Sequence, residues 1–220
     1  MDSSASSGLR DIAPALDALP LFPLPTVLMP GALLPLHVFE PRYCAMLRDV
    51  LEGHRVLSVV LVSEDGAKDA IGHPRLAPVA GVGVVVDYAE LAGGRYEVLI
   101  RGRARVRLEE LPFVAPYRRA RARVLASHGE ASPVDAAALV AAAAAFAAIV
   151  RQREPSFDPG LPKHAAPGEL ADLCAARLVL DVRDRQQLLE TLDVGARVRR
   201  AAESLLLQRA LLAPDRGALN

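Results

Sequence analysis

The chain has 220 residues, 52% of them apolar, and its 26 basic residues balance 26 acidic ones. That length admits one large domain or two small ones with a sizeable core. Zero net charge excludes a chain-wide attraction to nucleic acid or an anionic membrane, and two cysteines far apart exclude a disulfide framework and favour a reducing, cytoplasmic setting.

Residues 1–18 lack the apolar stretch of a signal peptide. They are expected to form a flexible tail, with Met1–Ser7 disordered. The next stretch, Leu19–Tyr43, carries Pro20, Pro23, Pro25, Pro30 and Pro35 among Leu, Val and Phe. Each proline removes a donor and clashes with a preceding helical turn, so no helix survives there. A central strand is not expected to tolerate them either. What remains is two short extended segments, Leu19–Leu24 and Ala32–Val38, bent around Pro30-Gly31. A helix over Pro41–Leu51 follows, with Tyr43, Met46, Leu47, Val50 and Leu51 on one side.

Strand patterns dominate to about residue 130. Val56–Val62 is a short apolar run and Val79–Tyr88 a second. Gly93-Gly94 supplies hairpin-turn residues. Tyr96–Leu108 alternates: even positions are apolar or glycine, while Arg101, Arg103, Arg105 and Arg107 stand at odd positions. Strict alternation puts those four arginines on one face. Gly102 marks a bend or bulge. Arg119, Arg121 and Arg123 repeat the scheme in Arg119–Val124. Such strands suit a curled sheet or small barrel.

Beyond residue 130 the period becomes helical. Ser132-Pro133-Val134-Asp135 reads as a cap, a first-turn proline and a first-turn acid, starting a helix that ends near Arg153. Its Ala136–Val150 run has 15 apolar residues, short of the ~20 that span a bilayer, and is expected to be a packed interior helix with no membrane role. Ser156–Pro167 reads as a linker. Helices over Gly168–Leu178, Val182–Thr191 (capped by Asp181) and Val194–Leu212 (capped by Asp193) complete the chain. The organisation expected is a tail over 1–18, a β-rich part over 19–130 and a helical part over 131–220.

Enzyme motifs fail on simple grounds. Lys68 and Lys163 follow Ala67 and Pro162, so neither stands in a Gly-Lys P-loop. There is no Gly-x-Ser-x-Gly elbow and no His-Glu-x-x-His helix. Gly81-Val82-Gly83 leads into more strand, where a dinucleotide fingerprint needs a helix. The five histidines are scattered, and Cys44 and Cys174 read as core thiols. No catalytic residue, metal ligand or cofactor is expected.

Three segments carry a family resemblance. They are the Leu-Pro-Leu-Phe-Pro-Leu … Pro-Gly … Leu-Pro-Leu … Phe-Glu-Pro-Arg-Tyr order of Leu19–Tyr43, the hairpin of Val79–Leu108 with its Gly-x-x-Arg run, and Leu188–Val194. In that order they resemble the amino-terminal substrate-binding domain of Lon proteases. The resemblance implies an α+β fold, a PUA-like β-barrel followed by a helical bundle. It implies a stand-alone module without the ATPase and Ser-Lys protease parts, acting as a non-catalytic protein- or peptide-binding module connected to quality control. The zinc-bearing extension of cereblon-type relatives lacks its paired cysteines here.

For such binding Phe39, Tyr43 and Tyr88 are the aromatic candidates, each with core packing as its alternative. Glu40 and Arg42 flank Pro41, either in the site or as a local ion pair. The competing reading is an RNA-binding PUA-like protein using the basic face of Arg101, Arg103, Arg105, Arg107, Arg119, Arg121 and Arg123. Against it, stacking aromatics are sparse there.

Overall fold

The computed structural model describes residues 9–63, 68 and 72–212. The segment Met1–Ser7 lies outside the described residues. The chain forms two compact units, Met1–Ala126 and Ser127–Asn220.

The first unit is built from strands β1 (Leu19–Leu24), β2 (Leu33–Val38), β3 (Val56–Leu61), β4 (Val79–Leu91), β5 (Arg95–Glu110) and β6 (Arg119–Leu125), with helix α1 (Pro41–Glu52) between β2 and β3. Hydrogen bonding runs β2-β5-β4-β3-β1-β6, and β6 pairs again with β5. Five strands therefore close into a ring with β2 outside it. One edge of the long strand β5 is divided between two partners: β2 takes residues 96–101 and β6 takes residues 105–110. All pairs are antiparallel except β1 with β3.

β1 corrects the expectation about prolines, for it lies between β3 and β6. Amide directions alternate along a strand, and the Leu21 amide donates to the Arg118 carbonyl at 2.9 Å. Pro23 faces that same side, beyond the Leu19–Pro20 pairing with β6. Pro20 faces β3, but the β3 ladder begins only at Leu21. Each proline sits where its side has no ladder to join.

A bulge in the hairpin decides which residues share a face. Val82 pairs with Ala104, but Gly83 pairs with Gly102, leaving Arg103 as the extra residue. An odd insertion reverses the faces. Before it, Tyr96, Val98 and Ile100 pack with Phe22, Leu57 and Val59 against Met46, Leu47 and Val50 of α1. After it, Ala104 and Val106 join Leu19, Leu21, Val60, Val82 and Ala120 in a second core cluster.

That second cluster also holds Ile12, fully buried, with Leu16 packed against it. Residues 9–12 are helical, a 3-10 turn follows at Ala13–Ala15, and the Ala122 amide donates to the Leu16 carbonyl at 2.7 Å. The later half of the expected tail is thus ordered structure, because one apolar side chain finds a place in the core.

Three glycines let the proline-rich loop lie on the sheet. A Cβ on Gly81 would stand 1.9 Å from the Leu28 carbonyl oxygen, and one on Gly102 would stand 2.1 Å from that of Met29. At Gly83 it would meet Ile100, Arg101 and Leu28 within 2.8 Å. The loop is tied down by Gly31 N–H to Gly102 O (3.0 Å) and Gly102 N–H to Ala32 O (2.9 Å).

The second unit contains α2 (Pro133–Arg153), α3 (Pro167–Arg177), α4 (Val182–Glu190) and α5 (Val194–Leu212). Its starts follow the sequence signals. The Asp135 amide donates to Ser132 Oγ, those of Arg183 and Asp184 donate to Asp181 Oδ1, and that of Ala196 donates to Asp193 Oδ1. A buried ion pair, Arg197 Nε to Asp172 Oδ1 at 3.1 Å, joins α5 to α3. The same guanidinium donates to the Thr191 carbonyl at 2.7 Å.

Helix α2 departs from the expected interior helix. It runs 21 residues, long and apolar enough by length and composition to cross a membrane, and 28% of its apolar window is buried. Leu139, Ala142, Ala143, Phe146 and Ala147 form the buried side, and Val134 and Val140 are exposed.

Candidate functional site

The proline-rich entry and the hairpin together build a cleft of about 440 Å3 on the first unit. Register explains its lining. Pro35 of β2 and Asp87 of β4 flank Leu99 of β5, and one row along His37 and Ala89 flank Glu97. Paired residues take the same face. The result is an apolar strip of Pro35, Leu99 and Ala89 beside two carboxylates and an imidazole. Asp87 Oδ1 accepts from the Tyr88 amide at 2.9 Å. The open edge of β2 borders this face. Pro35 stands in the middle of that strand and has no amide to offer an added strand.

Of the aromatic candidates, Phe39 and Tyr88 are on the surface, 64% and 44% exposed. Tyr88 borders the cleft through its place in β4, but it pairs with the buried Val98, so its ring lies on the other face of the sheet from Leu99 and Asp87. Phe39 follows β2, its ring 6.1 Å from that of His37 in a stacked arrangement. The Arg55 guanidinium lies 5.7 Å over the Tyr88 ring. Arg55 itself has φ 59°, a left-handed conformation uncommon for a non-glycine residue.

Tyr43 is a correction. It is only 7% exposed and packs 4.7 Å from Phe22, with Arg42 4.5 Å over its ring. Burial pushes its hydroxyl above the ordinary tyrosine pKa, with Arg42 opposing. Its helical spacing with Met46 and Leu47 turns it to the core. Glu40 and Arg42 form a local ion pair: Arg42 Nε and Nη2 donate to Glu40 Oε2 at 3.1 and 2.9 Å. Both side chains are about half exposed, where such a pair contributes under about 1 kcal/mol.

The basic face is also corrected. The bulge puts Arg101, paired with Val84, on the opposite side from Arg105 and Arg107, paired with Gly81 and Val79. Arg103 occupies the bulge and pairs with Asp11 at 3.2 Å. Arg105 is 4% exposed, because the loop at Leu28 crosses its cross-strand neighbour Gly81. Arg107, Arg119, Arg121 and Arg123 remain exposed on one face. Arg119 donates to the Tyr117 hydroxyl at 2.8 Å, Arg121 lies 3.9 Å from Glu109, and Arg107 stands directly opposite Arg123.

His37, Asp87 and Glu97 were missed in the sequence, and only Asp87, interrupting the valine run of β4, gave a signal. Among the described residues no group of three or more His, Cys, Asp or Glu side chains could hold a metal ion.

Comparison with known proteins agrees with this architecture. Residues 18–206 match the family model described as the ATP-dependent protease La (LON) substrate-binding domain. A Lon protease of Roseiflexus castenholzii is 31% identical over 207 residues, 92% of this chain and 25% of that protein. One of Anaeromyxobacter dehalogenans is 29% identical, over 88% of this chain and 24% of the relative. The chain thus spans about a quarter of the length of these relatives. The crystal structure of a Lon N-terminal domain protein from Xanthomonas campestris superposes with a TM-score of 0.61, at 24% identity, covering 86% of this chain and 97% of that one. The N-terminal domain of a Mycobacterium avium complex Lon protease gives 0.61 at 18% identity, covering 86% and 98%. A family match across almost the whole chain, over a ring of strands followed by a helical unit, means that this chain belongs to the LON substrate-binding domain family.

Proposed function

We propose that this chain is a non-catalytic receptor for polypeptide segments, working in the cytoplasm in protein quality control, with the cleft of β2, β4 and β5 as a contact site. Membership of a substrate-binding family supports the reading. So does the absence from this sequence of the P-loop lysine and nucleophile motifs that ATP hydrolysis and proteolysis need. The observation that carries the placement is the exposed Phe39, stacked beside His37 at a cleft that also offers an apolar strip and two carboxylates, with Tyr88 exposed on the other face of the same strands. A rigid aromatic anchor beside fixed charges suits extended segments carrying apolar and basic side chains.

The test is fluorescence anisotropy with a labelled, carboxymethylated and permanently unfolded model protein at physiological salt. Saturable binding is expected, weakened about tenfold in the Phe39→Ala/Tyr88→Ala double variant, the equivalent of about 1.4 kcal/mol. Unchanged affinity in that variant refutes the placement. Absence of binding to unfolded protein, together with RNA retention that falls steeply with salt, refutes the function.

A further inference from the structure

Helix α2 is apolar around its whole circumference, yet only one side is buried. A helix of that kind is normally covered all round. Along its uncovered side runs a groove of about 470 Å3, closed opposite by the chain that follows. Arg151 Nε donates to the Phe157 carbonyl at 3.0 Å, which turns that chain back along the helix toward α3. Val140 and Ala144 line one wall, Leu161 and Leu170 the other. Val140 is 55% exposed. Alanines make the helix wall shallow, so a main chain can approach closely.

The groove's charges are one-sided. Arg151 and Lys163 are among its lining residues and no acid is. Asp158, the nearby acid of the returning segment, already accepts from the Gly160 amide at 2.8 Å. The lining stretch of α2 from Ala136 to Arg151 is about 22 Å long, the span of six or seven extended residues. It is apolar until its end, where the cation stands. An occupant that matches is apolar along its length and anionic at one tip.

We propose that this groove takes the carboxy-terminal end of a polypeptide, its apolar side chains along α2 and its terminal carboxylate at the Arg151 end, with Lys163 of the facing segment adding positive charge to the groove. The proposal rests on the polypeptide-binding reading but not on the sheet cleft, which lies in the other unit. An acidic side chain in mid-segment matches less well, because its flanks would continue past the end of the apolar wall.

The experiment compares two fluorescein-labelled octapeptides of Ala, Val and Leu, identical except that one ends in a free carboxylate and the other in an amide. Anisotropy is read at physiological salt. The acid is expected to bind at least tenfold more tightly than the amide. Lys163→Gln and Arg151→Gln should each shrink that ratio, and Val140→Glu, at an exposed position, should remove binding of both. Circular dichroism confirms that each variant is folded. Equal affinity for acid and amide overturns the proposal. So does acid-peptide binding that survives Val140→Glu but is lost in Phe39→Ala/Tyr88→Ala, an outcome that leaves the sheet-cleft reading standing. Binding of the unfolded model protein without binding of either octapeptide also overturns it alone.

Discussion

Replacing Gly102 by alanine tests whether the proline-rich loop and the hairpin are one packed body. The added Cβ would stand 2.1 Å from the Met29 carbonyl oxygen and 2.9 Å from its carbon, both main-chain atoms that cannot rotate away. Relief requires the loop to retreat by about 1 Å or more. That loosens the two hydrogen bonds between Gly102 and the loop, each contributing about 0.5–1.5 kcal/mol. Overpacking adds about 1–3 kcal/mol. The sum is about 4 kcal/mol, a large part of the 5–15 kcal/mol that holds a domain folded. All four tyrosines, Tyr43, Tyr88, Tyr96 and Tyr117, lie in the first unit and the chain has no tryptophan. Tyrosine fluorescence in urea therefore reports this unit alone. With a slope of about 2 kcal/mol/M, the midpoint should fall by about 2 M. Gly93→Ala is the control. Its φ is 80° and a Cβ there meets nothing within 4 Å, so only backbone strain of about 1–2 kcal/mol applies. A Gly102→Ala midpoint equal to or above that of Gly93→Ala would refute the packing argument.

Three other outcomes are expected. Arg197→Met should destabilise the helical unit by about 3–5 kcal/mol by taking the Arg197 guanidinium away from the buried Asp172 carboxylate, and the Arg197→Met/Asp172→Leu double variant should recover much of the loss in thermal melts. Cys174 is fully buried, and burial pushes its thiol from 9.0 up to about 12. The folded state therefore holds this proton more tightly than the unfolded chain. The contribution of Cys174 to stability should be level up to about pH 9 and then fall by about 1.4 kcal/mol per pH unit toward pH 12. In urea melts followed by far-UV circular dichroism, the same slope in Cys174→Ala would refute the assignment. Arg107 and Arg123 face one another across β5 and β6. Converting one with Arg123→Glu should raise the tyrosine-monitored midpoint, by about 0.2–1 kcal/mol in stability; a lower midpoint would contradict the register.

The elements were legible because each is written in local chemistry. Ser132, Asp181 and Asp193 mark helix starts, Gly93-Gly94 marks the hairpin, and period-two alternation marks β5. Local chemistry does not say what lies over a face. Arg105 is a surface residue by alternation and a buried one in fact, since the loop at Leu28 passes over Gly81. The bulge at Gly102 was readable, but that it sends Arg101 to the other side needed the pairing of Val82 and Gly83. The prolines of β1 excluded a central strand only on the assumption that both edges are paired along their whole length. Ile12 looked like part of a tail because nothing near it in sequence needs it; its neighbours are Val60, Val82 and Ala120. The cleft was least visible, since Pro35, Asp87 and Leu99 meet only through the register of three strands.

The shared edge of β5 has a consequence for biosynthesis. The ring shuts only when β6, residues 119–125, reaches both β1 and β5. A ribosome must therefore deliver nearly the entire first unit before its last ladders can form. Contacts separated by a hundred residues form slowly, whereas the helices that emerge afterwards are built from local ones. Until closure, β1 and the far half of β5 present bare edges, the kind of surface that pairs with a neighbouring nascent chain.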